Sequence, residues 1–187
     1  MAVNRGKQFE GAIKEGIEKC ADVSIDRFQD PMAGFAGIRN VCDFVVYRFP
    51  FQYYFECKSF YGNTLSIHSN DPKHRYGAIT NDQWEGLEEK SHIPGVFAGV
   101  CAWFIDHDVT VFVPIQSLIQ LKNAGRKSLN IKDIEANSIL FVPIYGKKKR
   151  VLFDYDMSTL FLGLEIETRN HWDKEKPQWL RTKMTQL

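Results

Sequence analysis

The chain has 187 residues, of which 44% are apolar and 25% are charged, and its formal net charge is +1. This length suits one globular domain with a hydrophobic core, and the composition is that of a folded rather than a disordered protein. No apolar run reaches the roughly 18 residues of a membrane helix. The N-terminus lacks the apolar stretch of a signal peptide, so we expect a cytoplasmic protein without a membrane partner.

The predicted elements of the N-terminal half are a helix, a short strand, a loop and two aromatic-rich strands, at 4–20, 23–28, 29–40, 41–49 and 51–60. Apolar residues recur every four positions in the helix, and Asn4 is a suitable N-cap. The two aromatic-rich strands flank Pro50, which favours a hairpin. The polar segment 61–79 is predicted to be irregular.

The predicted elements of the C-terminal half are two helices and four strands, at 80–92, 95–104, 109–113, 114–123, 138–144 and 150–153. The run 95–104 is apolar without alternation, which is typical of a strand covered on both faces. A basic turn, Gly146 to Lys149, is expected to join the last two strands. The sequence therefore predicts one α/β domain over 1–187, with a mixed central sheet, a core over about 4–145 and a charged tail over 166–187.

The four cysteines, Cys20, Cys42, Cys57 and Cys101, are not spaced as a C-x-x-C pair, which disfavours a zinc site. We expect them to be buried apolar side chains rather than disulfides. No glycine-rich phosphate loop is found, so no nucleotide cofactor is expected.

A pair of acidic residues in the hairpin is the main candidate site. Alternation places Glu56 and Lys58 on one face of their strand and Cys57 on the other. With the turn centred on Phe49 and Pro50, residues whose numbers add up to 99 face each other, so Asp43 is expected opposite Glu56. Opposed carboxylates repel unless a hard cation such as Mg²⁺ lies between them, and a nearby lysine is suited to phosphodiester chemistry.

The same three residue types also occur in hairpins as a solvated face, and on types alone that interpretation is the stronger one. The flanking residues favour a site. Apolar and aromatic side chains surround both positions, and unpaired charges are costly in such a buried hairpin.

The spacing of Asp43, Glu56 and Lys58 resembles the PD-(D/E)xK nuclease superfamily, and further segments resemble its RecU-like Holliday junction resolvases. These segments lie in the same order along the chain and span residues 4 to about 134. They are Asn4-Arg5-Gly6 with Glu10, the Asp43, Glu56 and Lys58 motif, Gln83 with Leu87, and Gly125-Arg126-Lys127-Ser128. The short loop 29–40 departs from the long projection of RecU-like proteins and resembles a compact phage-type relative.

The resemblance implies a restriction-endonuclease-like fold and a homodimer that cuts four-way DNA junctions by paired nicks with Mg²⁺, for which Mn²⁺ is expected to substitute. Asp43 and Glu56 would be metal ligands and Lys58 the catalytic lysine, with the Cys57 carbonyl and Glu10 as further ligands. The compartment would be the host cytoplasm if the gene is of phage origin.

Several supporting residues have a structural alternative. Glu10 could be a helix-surface glutamate. Gln83 could act in catalysis by orienting water or phosphate near the metal, but it also completes a capping box with Thr80. Arg5, Lys73, Arg75, Arg126 and Lys127 are expected phosphate contacts. For His68 and His74, and for the run from Lys147 to Arg150, a solvated loop or turn is the preferred interpretation.

Two alternative functions stay open. The chain could be a PD-(D/E)xK nuclease of another kind, such as a restriction-type, flap or single-strand nuclease. It could also be a non-catalytic DNA-binding accessory protein of recombination.

Overall fold

The structure is a computed structural model that describes residues 4–27, 40–67 and 79–175, with side chains described up to residue 166. Some of the predictions fall largely or wholly outside the described residues: those for loop 29–40, for His68, Lys73, His74 and Arg75, and for the end of the tail. No helix in the described ranges is long and apolar enough to span a membrane.

The N-terminal half contains a helix, four strands and a second helix. In chain order they are α1 (Arg5–Glu18), β1 (Ser24–Arg27), β2 (Phe44–Arg48), β3 (Phe51–Phe60), β4 (Thr64–Ser66) and α2 (Asn81–Ser91). The Asn4 side chain accepts the Lys7 N–H and caps α1, as predicted. Thr80 and Gln83 form the predicted capping box of α2.

The C-terminal half alternates short strands with helices. In chain order they are β5 (Val96–Phe104), β6 (Val109–Pro114), α3 (Ile115–Asn123), β7 (Ser128–Asn130), α4 (Ile131–Glu135), β8 (Val142–Pro143), β9 (Gly146–Lys148), β10 (Phe153–Tyr155) and α5 (Met157–Glu175). A turn of 3-10 helix, Ile105–His107, joins β5 to β6.

The central sheet of the described chain has the order β1-β2-β3-β5-β6-β8. Strands β3 and β5 are parallel, and the other neighbours are antiparallel. Helices α1 and α5 pack on one face of this sheet through one apolar cluster. Helices α2, α3 and α4 pack on the other face through a second apolar cluster. This arrangement confirms the predicted mixed α/β sheet flanked by helices and the double coverage of β5.

The pairing expected for 138–144 and 150–153 is wrong. Strand β8 pairs with β6 at the edge of the sheet, whereas the basic segment itself forms β9 and pairs with β10. The cause is that the turn lies at 149–152, where the Lys149 N–H donates to the Leu152 carbonyl at 2.7 Å. Three of the four expected turn residues, Gly146–Lys148, are therefore strand residues.

The core continues beyond residue 145. Met157, Leu160, Phe161 and Leu164 line one side of α5 at the i, i+3, i+4, i+7 spacing and are buried against α1 and the sheet. The cysteines are free as predicted, and all but the half-exposed Cys20 are buried.

Candidate active site

Glu56 lies in the middle of β3 with only 2% of its surface exposed. Its Oε1 accepts from Lys58 Nζ at 2.8 Å and from Gln83 Nε2 at 2.7 Å. Its Oε2 is buried without a hydrogen-bond partner within the described part of the chain. The pKa of Glu56 is raised to about 7. Desolvation is the largest cause, and the charges of Asp43 and Glu10 act in the same direction, whereas the charge of Lys58 lowers the pKa. One oxygen of this carboxyl group is thus held by two donors, and the other is buried without a partner among the described residues.

Asp43 lies just before β2, at the end of the hairpin ladder. The predicted register, in which the numbers of two paired residues add up to 99, is confirmed from Arg48↔Phe51 to Phe44↔Phe55. At Asp43 it shifts by one residue, because the Asp43 N–H donates to the Phe55 carbonyl at 3.1 Å. The expected direct opposition of Asp43 and Glu56 within the ladder is therefore wrong, although the two carboxyl groups are close enough for Asp43 to raise the pKa of Glu56.

The shift also changes which way the neighbouring side chains point. Asp43 Oδ2 accepts the backbone N–H of Cys57 at 2.7 Å, which fixes its carboxylate beside β3. Alternation along the predicted strand 41–49 would place Cys42 on the same face as Phe44, but Cys42 packs in the cluster under α2. Strict alternation does not extend to Cys42 because β2 begins only at Phe44.

Gln83 forms the predicted capping box and also contacts Glu56, while its predicted role in orienting water or phosphate stays a prediction. Its Oε1 accepts the Thr80 N–H at 3.0 Å in the capping box, while its Nε2 donates to Glu56. One amide therefore fixes the start of α2 and the orientation of the Glu56 carboxylate. The structural and the functional interpretation of this residue are compatible.

Arg27 is the site residue that the sequence analysis missed. It lies at the end of β1, where it pairs with Phe44, one residue from Asp43. Its Nη2 donates to Glu10 Oε2 at 2.7 Å, and Glu10 is near enough to raise the pKa of Glu56. Only the β1–β2 pairing brings Arg27 here, and no local motif marks it.

Of the expected phosphate contacts, the structure describes Arg5, Arg126 and Lys127. Arg5 donates to Gln8 Oε1 at 2.9 Å on the first turn of α1. Lys127 is exposed, and its carbonyl accepts the Ile67 N–H at 3.1 Å. Arg126 is held by Asp133 through two hydrogen bonds of 2.6 and 2.7 Å. The same Asp133 carboxylate caps α4 by accepting the Asn130 N–H at 2.8 Å, so Arg126 has a structural role in holding α4.

We expect Asp133→Asn to lower the free energy of unfolding by about 1–2 kcal/mol at pH 7, because it removes a bidentate pair that is only partly exposed. Hydrogen bonding to Arg126 lowers the pKa of Asp133 in the folded state. Its contribution is therefore present above the unfolded pKa of about 4 and is lost as pH falls through the lower folded value. Urea unfolding at pH 7 and under acid measures the difference. The exposed Glu135→Gln on the same helix is the control, and an equal loss in both variants contradicts the prediction.

The donor set fits a hard divalent cation. Mg²⁺ is usually bound through one or two carboxylates, with water and substrate phosphate completing its ligands. Asp43 and Glu56 supply two carboxylates, and the buried Glu56 Oε2 lacks a partner. Within residues 4–27, 40–67 and 79–166, no group of three or more His, Cys, Asp or Glu side chains is arranged to hold a metal. The site thus fits an ion held by two carboxylates rather than one enclosed by protein ligands.

Comparisons with known proteins give a remote match. No protein-family model and no curated protein matches the chain. Among solved structures it is similar to Hjc, a Holliday junction resolvase from the archaeal hyperthermophile Archaeoglobus fulgidus. The two chains are 20% identical, and the match covers 60% of this chain and 78% of that one with a TM-score of 0.43. At this identity and TM-score the similarity carries no functional argument.

Proposed function

We propose that the chain is a Mg²⁺-dependent, structure-specific DNA endonuclease that resolves four-way junctions by paired, symmetric nicks during recombination. The observation that carries the proposal is the buried Glu56 carboxylate, with Lys58 and Gln83 on one oxygen and no partner on the other. The large majority of buried side-chain oxygens in folded proteins have a hydrogen-bond partner, because leaving one unpaired is costly. A cation bound there removes this cost.

In this proposal Asp43 and Glu56 hold the cation, with the Cys57 carbonyl as a further oxygen ligand. Glu10, which Arg27 holds by a hydrogen bond, adds negative charge near the ion rather than a third carboxylate ligand. When bound, Mg²⁺ supplies Lewis-acid activation of water and of the scissile phosphodiester. Mn²⁺ offers the same oxygen-ligand chemistry and is expected to substitute for it.

The chain's own residues position and neutralise charge. Gln83 fixes the rotation of the Glu56 carboxylate from the rigid start of α2. Lys58 places its ammonium group 2.8 Å from Glu56, beside the position where a phosphate would meet the metal ligands, so it is suited to stabilise charge that develops on that phosphate. Arg27 holds Glu10 near Glu56 and thus acts as a positioning residue.

The choice of junction substrates and the restriction-endonuclease-like assignment rest on the RecU-like segments from Asn4 to Ser128. Symmetric resolution requires two opposed cuts and each chain supplies one site, so the active form in this proposal is a homodimer. Branched DNA and a second copy of the chain are thus the expected partners, in a cytoplasmic setting.

Substrate choice tests the proposal. With Mg²⁺, an immobile four-way junction should be nicked symmetrically, and linear duplexes built from the same sequences should be cut much more slowly. End-labelled strands on a denaturing gel locate each nick. Equal cutting of junction and duplex would indicate another kind of nuclease. Junction binding without cleavage in either Mg²⁺ or Mn²⁺ would indicate an accessory protein.

A further inference from the structure

The hairpin of β9 and β10, Gly146–Tyr155, carries the densest run of positive charge in the chain. Lys147, Lys148, Lys149 and Arg150 are consecutive, and all four are exposed. The chain has 24 Lys and Arg against 23 Asp and Glu, so without these four it would be acidic overall. The hairpin is therefore a local concentration of positive charge on a chain whose other charged residues are acidic on balance.

This basic hairpin is firmly attached to the core. Phe153 stacks on Tyr155 at a ring distance of 5.6 Å and meets Trp103 edge-on. The Tyr155 hydroxyl is 3.0 Å from Thr110 Oγ1, inside the domain. A methyl group at Gly146 would lie 2.9 Å from the Asp154 carbonyl, so the two strands approach closely there. The cations are thus presented by a fixed element rather than by a free loop.

The acidic residues near the basic hairpin do not neutralise it. Lys148 pairs with Asp108, but Asp154 alone faces three ammonium groups. Lys19, which donates a hydrogen bond to it, lowers the pKa of Asp154 most, and Lys149 and Lys147 lower it further. Lys147 and Arg150 form no ion pair with any residue the structure describes. A net positive surface with two unpaired cations remains, and it fits a polyanion.

Helix α1 connects this surface to the candidate active site. Glu10 lies beside the site, whereas Gly16 packs against Tyr155 and Lys19 binds Asp154. Glu10 and Lys19 are nine positions apart, which is about 14 Å along the helix at 1.5 Å per residue. Along a DNA duplex that distance corresponds to about four base pairs.

We propose that the basic hairpin is a phosphate-binding surface for a duplex DNA arm, several base pairs away from the scissile bond. This inference rests on the proposed function, because it assigns the substrate of that site a second contact. The surface binds backbone phosphates and therefore adds affinity without reading sequence.

The test is the salt dependence of DNA binding by Lys147→Gln/Arg150→Gln, measured in EDTA so that no cleavage occurs. The probes are a four-way junction and a linear duplex. Each lost phosphate contact lowers the slope of log affinity against log salt by about 0.9, so we expect a decrease of about 2. The matched control is Lys90→Gln/Lys132→Gln, which removes the same charge from α2 and α4 across the sheet and should keep the wild-type slope.

If the hairpin variant keeps the wild-type slope, the inference is overturned. An acidic protein would then be the alternative partner of the basic surface. An equal decrease in the control variant also overturns it, because the effect would then be one of net charge. The proposed function fails separately. If the wild type never cuts the junction in Mg²⁺ but the hairpin variant shows the lower slope, the binding surface stands and the nuclease assignment falls.

Discussion

Glu56→Gln is expected to reduce Mg²⁺-dependent junction cleavage on the order of 10³-fold or more, the size seen when a central catalytic group is removed. Glutamine has the shape of glutamate and retains an oxygen for Lys58 and Gln83. It lacks the negative charge, and the unpartnered Oε2 position would carry either an amide nitrogen or a neutral oxygen. A divalent cation loses its main ligand in either orientation. Cleavage rates with labelled junctions and Mg²⁺ titrations measure the effect.

The same substitution should leave the metal-free protein folded. Burial makes the ionised form of Glu56 costly, as its pKa of about 7 shows, and the glutamine removes that cost while it weakens the contact with Lys58. We expect the melting temperature in EDTA to change by no more than about 4 °C, which corresponds to about 1 kcal/mol for a chain of this size. Junction binding in EDTA should also persist, since the loss is confined to the metal site.

Glu165→Gln is the matched control. Glu165 is also buried, and it accepts a hydrogen bond from the Tyr53 hydroxyl at 2.9 Å and pairs with Arg48, away from the candidate site. Its replacement should lower stability, because Arg48 loses its charged partner, yet cleavage at a permissive temperature should stay near the wild-type rate. If Glu165→Gln abolishes cleavage as fully as Glu56→Gln, loss of a buried carboxylate, not loss of a metal ligand, explains both results.

Local patterns were enough to predict the elements that surround the site. The hairpin turn at Phe49 and Pro50 and the alternation along β3 placed Glu56 and Lys58 on one face and Cys57 on the other, as the structure has them. The capping box at Thr80 and the apolar run of β5 were equally local signals. Each depends on residues within a few positions of one another, so the sequence alone suffices.

Contacts between distant segments were not predictable in this way. Strands β4 and β7 pair although more than 60 positions separate them in the sequence. Each has only three residues, which is too short for an alternating apolar pattern to be recognised. The Arg27–Glu10 pair depends on β1 lying beside β2. In α5, by contrast, Met157, Leu160, Phe161 and Leu164 have helical spacing, so this helix was detectable although its charged continuation suggested a tail.

Lys58→Met is expected to reduce cleavage at saturating Mg²⁺ by about 10²–10³-fold, the effect of removing one group that stabilises transition-state charge. Methionine fills much of the same space on β3, and Lys58 is largely buried, with 16% of its side chain exposed, so packing should be retained. Lys90→Met is the control, because Lys90 pairs with Glu89 on the surface of α2 and should be dispensable.

The dependence on Mg²⁺ concentration separates two roles of Lys58. Its charge lowers the pKa of Glu56, so its loss makes ionisation of Glu56 less favourable and should weaken metal binding. If that were its whole contribution, excess Mg²⁺ would restore the wild-type rate in Lys58→Met. A rate that stays low at every Mg²⁺ concentration requires a role for the ammonium group at the phosphate or the attacking water. Lys58→Arg, which keeps the charge but has a larger head group, should then recover part of the rate, whereas full recovery by Mg²⁺ alone would make Lys58 a positioning residue for Glu56.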